Sequence, residues 1–201
     1  VIRRILEKSS AIKTVHEASG GEEALEMIPK VKPDVITLDV NMPGMDGVTA
    51  LKHIIVKHSI PVIMLSAFTE EGAGTTFDCM SYGAVDFICK PSRFGGSLSE
   101  KEEEIIQKII NACDVTVNSI SKARVAKRNT TTFERYLSFK SKADSIIVMG
   151  AGEGGYSGFL KLLPSLPKHF SAGMLGIQYM EDEYFDSFCK YLNKYSKIWV
   201  K

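Results

Sequence analysis

The sequence predicts an α/β protein: a doubly wound parallel sheet followed by the start of a second α/β unit. Three observations carry this. Helical patterns alternate with short apolar runs from residue 1 to about residue 113. Those runs are apolar on both faces, as strands covered by helices on both sides are. A polar connector then precedes a second strand–turn–helix that begins at Ser145.

In "VIRRILEK", Val1, Ile2, Ile5 and Leu6 share one helical face, with no capping residue ahead of them. Thr14 to Glu17 is a strand candidate. "SGGEEALEMI" reads as a turn and an amphipathic helix that stops near Pro29. "PDVITLDV" is a buried strand, "NMPGMDG" a loop, "VTALKHIIVKH" a helix and "IPVIMLSA" a further buried strand. "TEEGAGTTFDCMSYG" is a weak helix capped by Thr69, with Glu70 and Glu71 at its positive end. "AVDFICK" is the next strand, and Ser99 with Glu102 forms a capping box before "EIIQKIINAC". The domains implied are 1–113, a basic linker at 114–144 and an α/β segment at 145–201. The linker carries Lys122, Arg124, Lys127, Arg128, Arg135, Lys140 and Lys142 against Glu134. It reads as a solvated connector, with a docking strip for an acidic partner as the alternative. "KIWVK" reads as a strand just begun, so both ends look like interrupted elements.

Composition narrows the function. A net charge of +1 gives no field for nucleic acid or an anionic membrane. No apolar run approaches the roughly 20 residues of a membrane span, so no membrane insertion is expected. Cys79, Cys89, Cys113 and Cys189 form no C-x-x-C pair and read as reduced thiols in a cytoplasmic protein. The four histidines are scattered, which argues against a zinc site.

Asp39, Ser66 and Lys90 each end a predicted strand. In an open parallel sheet that edge is where ligands bind. A carboxylate, a hydroxyl and an ammonium there suit phosphoryl chemistry: the carboxylate attacks phosphorus, and the other two hold the phosphoryl oxygens. The Lys90–Pro91 bond is a candidate cis peptide that would fix the lysine's direction.

With "LDVNMPGMDG", "MLSA" and "FICKP", residues 1–113 resemble the receiver domain of bacterial response regulators. The resemblance implies a flavodoxin-like fold, Asp39 as phosphoacceptor, Ser66 and Lys90 as phosphoryl-binding residues and a histidine kinase as donor. It further implies Mg²⁺ held in part by Asp39 and the backbone carbonyl of Asn41. Phe87 matches the aromatic switch that turns inward on phosphorylation. Receivers carry an acidic pair on a first strand that lies mid-sheet; that strand is missing from this sequence, which would leave the strands around Val15 and Ile36 without the neighbour between them.

"VMGAGEGGYSG" fits G-x-G-x-x-G, but the dinucleotide reading is weak. The second strand ends at Gln178 and Tyr179, and the first acid, Glu181, is misplaced for a ribose. Residues 145–201 instead resemble the start of a chemotaxis-type protein-glutamate methylesterase domain, through Gly150-Ala151-Gly152-Glu153-Gly154-Gly155, "FLKLLPSLPKHF" and Gln178-Tyr179-Met180. By that resemblance Gly152 stands where the family has its nucleophilic serine, and Tyr179 where it has its histidine. Glu153 is a replacement nucleophile with nothing visible to activate it. The reading is a phosphoacceptor response regulator of chemotaxis-type signalling, with a degenerate methylesterase-like output and a chemoreceptor or other signalling protein as partner. The alternative is a fragment of an active protein-glutamate methylesterase/deamidase; a stand-alone nucleotide-binding protein comes third.

Overall fold

The computed structural model describes residues 1–67, 70–90, 101–115, 117, 145–152, 155–180 and 182–201. The expectations for Thr69, Pro91, Ser99, Glu153 and nearly all of the linker lie outside these residues. The chain divides into two compact units, Val1–Ala123 and Arg124–Lys201.

The first unit runs α1 (Ile2–Leu6), α2 (Gly21–Val31), β1 (Ile36–Asp39), α3 (Gly47–Lys57), β2 (Val62–Ala67), α4 (Glu70–Tyr82), β3 (Asp86–Lys90) and α5 (Glu102–Cys113). Its three strands are parallel in the order β1-β2-β3. Residues in register share a sheet face, and successive residues alternate. One face carries Ile63, Leu65 and Ile88, packed with Ile5 and Leu6 of α1 and Ile105, Ile109 and Ala112 of α5. Leu38, Met64 and Phe87 align in register on the other. There Phe77 of α4 meets Phe87 edge-on, ring centroids 6.4 Å apart. Helix α3 buries Ala50, Leu51, Ile54 and Ile55.

Four details differ from the sequence expectation. Thr14–Glu17 is not a strand. A strand is defined by its ladder, and the described residues offer no neighbour for one there, because β1 pairs only with β2. Helix α2 continues through Pro29 to Val31 and ends on Lys32 in the left-handed region (φ 48°), whose N–H bonds to the Ile28 carbonyl. Proline gives up its own helical N–H bond and crowds the preceding turn, and the helix runs just two residues beyond it. The N-cap of α5 is Lys101, with no side-chain cap; Glu102 instead accepts from Lys8 Nζ at 2.6 Å. "KIWVK" forms no strand: the Val200 N–H donates to Asn193 Oδ1 at 2.9 Å, back onto the preceding helix.

The second unit is β4 (Ile146–Ala151), α6 (Tyr156–Ser165), β5 (Gly173–Gln178) and α7 (Asp182–Tyr195), with β4 and β5 parallel. Tyr156, Phe159, Leu160, Leu163, Tyr184, Phe188 and Leu192 make its core, with Phe188 edge-on to both Tyr156 and Phe159. Gly176 makes room for Phe159: a Cβ there would stand 2.7 Å from the ring's Cε1.

Candidate functional site

The register brings the three strand-end residues to one edge but onto two faces. Asp39 aligns with Leu65, and Lys90 with Ala67; Ser66 aligns with Cys89, one residue out of phase. Asp39 and Lys90 meet: the ammonium bonds Asp39 Oδ2, while the Asn41 backbone N–H donates to Oδ1 at 3.1 Å. Both side chains are part-exposed. An ion pair at that exposure contributes about 0–1 kcal/mol, too little for fold stability alone to account for it. The carboxylate keeps lone pairs beyond the two in use.

Ser66 is 2% exposed and makes no hydrogen bond to Asp39. Its Oγ lies 2.6 Å from Thr76 Oγ1 on α4, and Thr76 also donates to the Gly72 carbonyl at 2.8 Å. Thr76 is a site neighbour that sequence reasoning missed. Phe87 is 3% exposed, turned inward; Lys108 of α5 bonds its carbonyl at 3.2 Å.

The loop between β1 and α3 is built tightly around Asp39. The Gly47 N–H donates to the Val40 carbonyl at 3.0 Å, and a Cβ on Gly47 would sit 1.9 Å from the Asp39 carbonyl oxygen. Asp46 caps α3 by accepting from the Thr49 N–H at 2.7 Å. That backbone bond, with the Thr49 side chain second, holds the Asp46 carboxyl below its ordinary value. Glu22 of α2 accepts from the Met45 N–H at 3.3 Å, and Gly44 turns the loop at φ 73°.

A sequence profile of the response regulator receiver domain matches residues 1–98. The response regulator domain of Thermotoga maritima CheB is 40% identical, with a TM-score of 0.51, over 57% of this chain and 86% of that one. The chain belongs to the response-regulator receiver family. The receiver is moreover that of a CheB-like chemotaxis regulator, because the likeness runs on past it. A protein-glutamate methylesterase/protein-glutamine glutaminase of Pyrococcus abyssi is 38% identical over the whole of this chain and 55% of its own length. One from Carboxydothermus hydrogenoformans is 34% identical over the whole chain and 57% of its own length. The chain thus spans little more than half the length of these curated relatives.

Receiver domains generally bind Mg²⁺ for phosphorylation. Among the described residues no three His, Cys, Asp or Glu side chains gather into a metal-holding group. Asp39 and the Asn41 carbonyl alone do not make up an octahedral oxygen shell.

In the second unit the two positions singled out do come together. Gln178 Nε2 donates to the carbonyls of both Gly152 and Tyr179, each at 2.8 Å. The Tyr179 N–H donates to the Ala151 carbonyl at 3.1 Å, and its side chain is 68% exposed. Among the described glycines of this turn Gly155 is the one sterically required: a Cβ there would lie 2.4 Å from Ala151 Cβ, whereas Gly150 and Gly152 face open space.

Proposed function

We propose that this chain is the phosphoacceptor part of a chemotaxis-type regulator, with Asp39 receiving a phosphoryl group from a histidine kinase. The observation that supports this most is the Lys90–Asp39 contact at the sheet edge. A carboxylate oxygen attacks phosphorus, the bond from phosphorus to the donor imidazole nitrogen breaks, and an acyl phosphate forms. Lys90 stays beside the oxygens whose charge grows, where a fixed cation is most effective. Phe87, already inward, is the candidate switch that reports the change to α4 and α5. Asp39 and the Asn41 carbonyl would supply part of a Mg²⁺ shell, with its remaining oxygens from elsewhere.

The domain division at 1–113, 114–144 and 145–201 belongs to the same reading, as does a cytoplasmic location with a chemoreceptor or other signalling protein as partner. No helix among the described residues is long and apolar enough to cross a membrane. The 145–201 segment is read as methylesterase-like but without its chemistry, since Gly152 has no nucleophile and Tyr179 offers a phenol as base. The near full-chain likeness to methylesterases favours the second reading, an active methylesterase/glutaminase whose catalytic groups lie at other positions.

The test is intact-mass measurement of the full-length protein after incubation with Mg²⁺ and a small acyl phosphate. One phosphoryl adduct is expected in the wild type and none in Asp39→Asn. Labelling unchanged in Asp39→Asn would remove the assignment.

A further inference from the structure

Phe87 is fastened at its backbone by two side chains. Its N–H donates to Asp86 Oδ1 at 2.7 Å, and its carbonyl accepts from Lys108 Nζ at 3.2 Å. Asp86 is buried, and the Lys108 side chain is 13% exposed. Among the described residues β3 has a neighbouring strand on one side only, so its other edge is open to a side chain. Lys108 uses that opening. Its helix, α5, packs on the face of Ile63, Leu65 and Ile88, whereas the Phe87 ring lies on the opposite face against Phe77. The ammonium passes the strand edge and stands over the Phe87 ring, 5.7 Å from its centre. A cation within about 6 Å of a ring centre is drawn to the ring face, more strongly where water is scarce. Glu104, 3.5 Å from the same ammonium, holds it from the solvent side.

We infer that Lys108 is a positioning residue that holds Phe87 inward before any phosphoryl group arrives. With the backbone tied at both N–H and carbonyl, the ring changes position about its own side-chain bonds. Turning outward takes it off Phe77 and toward the open edge, where the Lys108 side chain already lies. The ammonium stays on the carbonyl, which does not travel with the ring. Phe87 is thus set inward at rest, and phosphorylation has little left to turn. That consequence rests on the phosphoacceptor reading of Asp39; the hold of Lys108 on the ring does not.

The test places a fluorophenylalanine at position 87 of the full-length protein and reads it by fluorine NMR. The shift between light and heavy water reports whether the ring meets solvent. Wild type, Lys108→Arg and Lys108→Met are compared, each with and without Mg²⁺ and beryllofluoride, a phosphoryl mimic. The wild type should show a buried ring that beryllofluoride does not move. Lys108→Arg, which keeps the charge, should match it. Lys108→Met, which keeps an apolar stem alone, should raise the outward-to-inward ratio by roughly three- to fivefold, the size expected of one cation–π contact. Beryllofluoride should then bring that ring back. A merely structural role would lower stability without changing the two ring populations. A Lys108→Met spectrum identical to the wild type, or an outward ring in Lys108→Arg as well, would overturn the inference. So would a wild-type ring that faces solvent until the mimic binds. If Lys108→Met does not fold, Lys108→Gln takes its place, with the same outcomes. A protein that shows no bound-fluoride signal sinks the phosphoacceptor reading, while the spectra taken without the mimic still decide the role of Lys108.

Discussion

Gly47 shows how closely one residue constrains the candidate site. Its missing Cβ leaves room for the carbonyl of Asp39 itself, and the clash an alanine would make is with backbone, which cannot swing aside. Gly47→Ala should therefore destabilise the protein by roughly 1–3 kcal/mol, as overpacking does. It should also reduce acyl-phosphate labelling of Asp39 at temperatures where the variant is still folded. Gly74, within α4, is the matched control: nothing lies within 4 Å of its added Cβ. Gly74→Ala should be stabilising by about 0.5–1 kcal/mol, because glycine is a poor helix former. Denaturant melts of both variants check this, and a Gly47→Ala midpoint at or above the wild type would contradict it. Asp39, Ser66 and Lys90 were legible in the sequence because each closes an apolar run, and strand ends in a parallel sheet share an edge. Thr76 was not legible. A buried threonine in a helix of weak amphipathic pattern looks the same in sequence as an exposed one, and its partner lies ten residues back on a strand.

At the scale of elements, helices and strands were read well wherever apolar period and turn chemistry agreed, as in "VITLDV", "VIMLSA" and α3. They were misread where a local signal competed with a longer-range contact. Glu102 completes a capping-box pattern on paper, yet the ammonium of Lys8 takes its carboxylate. Thr14–Glu17 has strand-like residues but no ladder partner among the described residues. The cap that does form is Asp46 on α3, and its pH dependence has a definite sign. Its carboxyl is held below the ordinary value by the Thr49 N–H, so its stabilisation is fully present above the unfolded value, about 3.9. It is lost as pH falls through the lower folded value. At neutral pH Asp46→Ala should cost about 1 kcal/mol, and Asp46→Asn much less, since asparagine caps as well. The gap between Asp46→Ala and wild type should close as pH drops below about 4. Urea melts across that range check it; a gap that stayed constant would mean that the carboxylate charge is not what caps the helix.

At the scale of the whole chain, the two units pose different problems. The receiver was legible because its chemistry lies in short contiguous motifs, and 57% of the chain superposes on one solved receiver. The second unit was legible as a glycine turn on a parallel strand pair, but which of its glycines matters was not. Among the described glycines of the turn Gly155 is the one sterically required, while Gly152 faces open space, so a serine would fit there. This separates steric from chemical reasons for the absence of a nucleophile. On the proposed reading, full-length protein loaded with phosphoryl group should release no methanol from methylated receptor membranes above a no-protein control. Gly152→Ser should leave that result unchanged despite the available space, because a serine without a base to take its proton is a weak nucleophile. Tyr179 cannot readily become that base. Its phenol is exposed, and what approaches Gly152 is the Gln178 amide: Nε2 bonds both carbonyls, and the unpartnered Oε1 is an amide oxygen, too weak a base to take a serine proton. Methanol release in the wild type would favour the active-esterase reading, with its nucleophile at another position. Release only in Gly152→Ser would show that a competent base already faces the turn, and that the loss of chemistry here is one side chain deep.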